Sequence, residues 1–110
     1  VVRVGVDIET TGLDPRQDRI VLVSLAWEGE EAVVYRAEDP VLPARLREAF
    51  RQEVVCHFAT FDLPWLCLAF DLPVPERIWD TMAAEAVLTA GLELELGLGP
   101  TVARRLGLEL

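Results

Sequence analysis

Val2, Val4, Val6 and Ile8 alternate with Arg3, Gly5, Asp7 and Glu9 at the start of the chain. A period of two predicts a β-strand over about Val2 to Ile8. A loop through Gly12, Pro15 and Asp18 follows. Ile20 to Trp27 is a near-continuous apolar run, as expected of a buried strand. The turn Glu28-Gly29-Glu30-Glu31 then leads to a third strand over Ala32 to Tyr35, so that pair forms an antiparallel hairpin. Beyond it the period changes. Asp39-Pro40 reads as a helix cap and start, and Leu42, Leu46, Ala49 and Phe50 recur at helical spacing opposite Arg45, Arg47, Glu48 and Arg51. Val54 to His57 is a short apolar strand. Coming after a crossover helix, it is expected to run parallel to an earlier strand. Leu63 to Phe70 reads as a helix that tolerates Pro64 in its first turn. Leu72 to Pro75 is a rigid loop. Arg77-Ile78-Trp79 leads to Asp80, which is placed to cap a helix over Met82 to Leu88. Gly91 to Gly99 is a loop or a frayed helix end. Thr101 to Leu106 is a short helix stopped by Gly107.

The order β-β-β-α-β-α-(β)-α predicts an α/β domain over residues 1–110, with a mixed sheet flanked by helices. That order resembles the ribonuclease H-like fold, and the resemblance implies that strand one is central, between the hairpin and the parallel strand, with its end open as a cleft. A chain of 110 residues with 52% hydrophobic content can bury one core. No apolar run approaches the ~20 residues of a membrane span. The first run also lacks a basic leader. A cytosolic protein without membrane contact is therefore expected. Cys56 and Cys67 sit in apolar surroundings and read as buried free thiols, with Trp27, Trp65 and Trp79 as core or core-edge residues. A single His disfavours a Cys/His zinc site. The net charge is −9, and all ten basic residues are Arg. The usual basic footprint for nucleic acid is missing, unless bound cations or a basic surface elsewhere offset the charge. A chain without Lys or Asn fits a GC-rich, thermophilic source.

Candidate chemistry gathers at two places. Asp7 and Glu9 share one face of the first strand near its end. Two adjacent carboxylates repel and lose hydration unless a cation neutralises them. An all-oxygen donor set suits Mg²⁺ or Mn²⁺. The plainer reading is two solvated acids at a polar strand end. The second place is His57-Phe58-Ala59-Thr60-Phe61-Asp62-Leu63, between the buried strand and a helix. If that strand lies beside strand one, Asp62 faces the same cleft. Alone, Asp62 could simply be a helix N-terminal acid, worth ~0.3–1 kcal/mol.

These segments resemble the motifs of the DnaQ-like (DEDD) 3′–5′ exonucleases, whose fold is ribonuclease H-like. Asp7-Ile8-Glu9-Thr10-Thr11-Gly12-Leu13 is similar to their first motif, and His57 to Leu63 to their second. Trp79-Asp80-Thr81-Met82 is similar to a segment that lies between motifs two and three. Val102 to Leu108 resembles the helix before the third motif in DNA polymerase I proofreading domains and ribonuclease D. The resemblance implies two Mg²⁺ or Mn²⁺ ions held by Asp7, Glu9 and Asp62. Asp7 would bridge both ions, Glu9 would help orient the attacking water, and Asp62 would serve the second ion. It implies that Thr10, Thr11 and Leu13 meet the 3′-terminal nucleotide. Phe58, where the family often has Asn, is a candidate for stacking on a base; Phe61 reads as core. His57 reads as a satisfied side chain, and Asp80 as a cap instead of a ligand.

The implied function is removal of nucleotides from single-stranded DNA 3′ ends, as in proofreading beside a polymerase domain of a longer parent. An exoribonuclease of ribonuclease D type and a non-catalytic structural domain are the alternatives. The third motif, with a fourth carboxylate, is not present before Leu110. The 110-residue chain is therefore expected to be C-terminally incomplete and weak or inactive, unless a second copy supplies the missing part by domain exchange.

Overall fold

The computed structural model describes residues 1–109. Its elements are β1 (Arg3–Thr10), β2 (Ile20–Trp27), β3 (Val33–Arg36), α1 (Leu42–Ala49), β4 (Glu53–Cys56), α2 (Ala59–Phe70), β5 (Arg77–Asp80), α3 (Thr81–Leu88) and α4 (Leu98–Leu106). The five strands form one sheet in the order β3-β2-β1-β4-β5. β1 pairs antiparallel with β2, through Val6↔Leu25 and Ile8↔Val23, and parallel with β4, through Val4↔Val54. β5 is parallel to β4. Strand one is thus central, and β1, β4 and β5 point their C-terminal ends the same way. In open α/β sheets that end is where ligands bind.

The strict alternation of β1 has a direct consequence. Val4, Val6 and Ile8 face a core shared with Val23, Leu25 and Val54 from the sheet, Leu42, Leu46 and Ala49 from α1, and Leu63 and Leu66 from α2. Arg3, Asp7 and Glu9 lie exposed on the other face. On that face Gly5, Asp7, Ser24, Ala26, Val55 and His57 line an open hollow of about 310 Å³, closed at one side by Thr81 and Leu98.

Several boundaries differ from the sequence reading. α1 starts at Leu42, because Asp39 Oδ1 accepts from the Val41 N–H at 2.9 Å and closes a turn instead of capping the helix. α2 starts at Ala59, four residues early, so Asp62 lies within its first turn. Arg77 to Asp80 does pair as a strand. α4 starts at Leu98, with Pro100 in its first turn. Trp79 is 56% exposed on the edge strand and not part of the core, whereas Trp65 is buried. Both cysteines are free; Cys56 is buried and Cys67 half-buried. No helix among the described residues is long and apolar enough to cross a membrane.

Candidate functional site

Asp7 and Glu9 come from β1, whose pleat turns both carboxylates to the open face. A register shift between Glu9 and Thr10 ends the ladder with β2 and lets the chain leave the sheet. The loop beyond is stapled from within. Thr10 Oγ1 donates to the Gly12 carbonyl at 2.6 Å, and Thr11 Oγ1 accepts from the Arg19 N–H at 3.0 Å. Asp18 accepts from the Asp14 N–H at 3.1 Å and from Thr11 Oγ1 at 3.4 Å. Its carboxylate occupies the space that a Cβ on Gly12 would need. Both threonine hydroxyls are therefore spent inside the loop, while Leu13 projects from it, 84% exposed.

Asp62 reaches the site from the first turn of α2. It is only 4% exposed, and its Oδ2 has no hydrogen-bond partner. Burial, then the negative charge of Asp7, then that of Asp80, push its carboxyl up to about 7. Such a group is either protonated or waiting for a positive charge. The same acids act on Cys56 at the end of β4. Burial first, then Asp62, Asp80 and Asp7, push its thiol up to about 12, which makes it inert.

Asp80, at the end of β5, holds this arrangement together. Its carboxylate accepts from Met82 N–H at 2.9 Å and Ala83 N–H at 3.2 Å, capping α3 as its position in the sequence predicted. It also accepts from Phe58 N–H at 3.0 Å and Ala59 N–H at 2.8 Å, capping α2 across 22 and 21 residues of chain. Burial works to raise the Asp80 carboxyl, but these four donors hold it below its ordinary value. The backbone at Phe58 is left-handed, with φ 75°, and its ring is 48% exposed.

His57 is satisfied on both ring nitrogens, by Thr81 Oγ1 at 2.8 Å and the Leu96 carbonyl at 2.6 Å. It ties the 91–97 segment to the sheet and is not free to act as a base. Sequence reasoning overlooked Glu85. Buried on α3, it accepts from Arg105 Nε at 2.8 Å and Arg104 Nε at 3.0 Å, which docks α4. The Arg105 hydrogen bond, reinforced by Arg104, keeps its carboxyl below the ordinary range despite desolvation. A lone acid within the apolar run Met82-Ala83-Ala84-Glu85-Ala86-Val87-Leu88, followed by an Arg pair, was the available signal.

Asp7 and Asp62 therefore interact across β1, β4 and α2, and Glu9 follows two residues along the same face as Asp7. Among the described residues no three acidic, His or Cys side chains gather closely enough to chelate a cation as they stand. The donor chemistry still fits a hard divalent ion: the carboxylates supply only oxygen, and one buried oxygen lacks any partner.

A family model described as 3′-5′ exonuclease matches residues 1–110. Among solved structures, NrnC of Brucella melitensis bound to pGG superposes with a TM-score of 0.81 and 27% identity, covering 98% of this chain and 54% of that one. NrnC with bound Mg²⁺ gives the same score and identity, with 55% of that chain covered. Escherichia coli RNase D, an exoribonuclease, shares the fold at 19% identity and a TM-score of 0.75, over 98% of this chain and 28% of that one. The chain thus spans about half the length of NrnC. The curated proteins contain no match.

Proposed function

Because the chain belongs to the 3′–5′ exonuclease family, we propose that it forms the metal-dependent part of a phosphodiesterase that shortens single-stranded nucleic acid from its 3′ end. The observation that carries this reading is the buried, unpartnered Asp62 oxygen beside Asp7, at the end of the sheet where the parallel strands finish.

Asp7, Glu9 and Asp62 are the residues that would hold two Mg²⁺ or Mn²⁺ ions. When bound, such ions supply a polarised phosphate, a water acidified into a nucleophile, and charge neutralisation at the leaving oxygen. The protein's own contribution is placement. β1 fixes Asp7 and Glu9 on one face, and the first turn of α2 supplies Asp62. The stapled loop holds Leu13 outward as a wedge against the terminal nucleotide, and the chain near Thr10 and Thr11 lines the same end. Cations at this site also locally offset a net charge of −9 that would otherwise repel the phosphate backbone.

The substrate reading is DNA, with proofreading beside a polymerase domain, by the motifs shared with DNA polymerase I proofreading domains. A second reading, short RNA, is favoured by the 27% identity to a protein solved with pGG.

The test uses 5′-labelled single-stranded DNA and RNA of one sequence, Mn²⁺, and protein in excess. Slow loss of single nucleotides from the 3′ end, abolished in Asp7→Asn, is expected. Preference for RNA would select the second reading. Shortening that survives in Asp7→Asn would overturn the proposal.

A further inference from the structure

Phe58 is the one bulky residue with positive φ among the described residues; the other non-glycine case, Asp71, is a helix C-cap of a type that tolerates this conformation. A phenylalanine there pays a backbone cost that glycine or asparagine largely avoids. In this conformation Asp80 accepts from the Phe58 and Ala59 N–H groups. Residues held in such regions cluster at functional sites.

The ring does not repay the cost by burial, being 48% exposed. It does close a column of aromatics that rises out of the core. Trp65 is buried. Phe61 lies 5.9 Å from it, tilted by 53°. Phe58 lies 6.5 Å from Phe61 and nearly parallel to it, at 9°. An offset, near-parallel arrangement leaves the outer side of Phe58 free to accept another flat ring. The column stands one helical turn from Asp62, whose N–H approaches the Phe58 carbonyl at 3.5 Å. That carboxylate is itself more than nine-tenths buried and has an oxygen without a partner, so the column stands beside the site proposed above to take the strand's phosphate.

We propose that Phe58 is a stacking platform for a nucleobase of the bound strand, the outer ring of the Trp65–Phe61–Phe58 column, and that its left-handed backbone is kept to present the ring there. This rests on the nucleic-acid reading above and extends it: the residue would read base planarity within the last few nucleotides and not the sugar–phosphate backbone.

The test compares the chain with Phe58→Asn, Phe58→Gly and Phe58→Trp. The probe is a single-stranded hexanucleotide with phosphorothioate linkages at its 3′ end, carrying 2-aminopurine at each of the last three positions in turn, in Mn²⁺. Phe58→Asn and Phe58→Gly should melt at or above the wild-type temperature. They should bind the probe about 5- to 100-fold more weakly and lose the stacking quench at one of the three positions. Phe58→Trp should keep both binding and quench. Unchanged affinity and quench in Phe58→Asn would overturn this inference while leaving the nuclease reading intact. A lower melting temperature in both Phe58→Asn and Phe58→Gly would make the ring a packing element and overturn it as well. A wild-type chain that binds no probe would overturn the nuclease reading, and this inference with it.

Discussion

Asp62 carries most of the site's electrostatic tension. Its carboxyl titrates at about 7 in the folded chain, against an ordinary 3.8. Between those values the folded protein keeps a proton that the unfolded chain has already lost. Stability therefore falls as pH rises from about 4 to about 7 and levels off above that. Asp62→Asn removes the titration. Urea midpoints of wild type and Asp62→Asn, measured without metal, should diverge across this window, with the wild type losing more. Parallel curves would show that the carboxyl is not under tension. That Asp62 stands near enough to Asp7 to feel its charge agrees with the expectation from the motif resemblance. The unpartnered oxygen was not legible, since it depends on how deeply α2 settles against β4.

The elements around the site are joined by capping and not by loop chemistry alone. Asp80 was readable as the cap of the helix that follows it, since an acid before Thr81-Met82 is a local signal. Its grip on α2 was not, because Phe58 and Ala59 lie 22 and 21 residues away in the chain and meet it only once β4 and β5 pair. That long-range cap explains why α2 begins four residues before the sequence pattern suggested. Asp80→Ala should cost about 2–4 kcal/mol, the sum of two helix caps at ~1–2 kcal/mol each. Amide exchange should then quicken in the first turns of both α2 and α3. Faster exchange confined to α3 would mean that the α2 contact carries no energy. The Glu85 clamp on Arg104 and Arg105 escaped notice for the same reason: its partners lie 19 and 20 residues downstream.

At the scale of the whole molecule, the β2–β3 hairpin and the parallel β4 followed from hydrophobic period and loop length, and the central place of β1 from the resemblance to the ribonuclease H-like fold. The parallel β5 was only half visible, because its four residues are mostly exposed and carry no clear alternation. Net charge pointed away from nucleic acid, whereas the family match points towards it. The proposal that divalent cations sit at the acidic end of the sheet reconciles the two. The most direct test is a calorimetric titration of Mn²⁺ into the wild-type chain and into Asp62→Asn at pH 8. Saturable binding to the wild type that Asp62→Asn abolishes is the predicted result. Equal binding by both chains, or none by a folded wild type, would contradict the account.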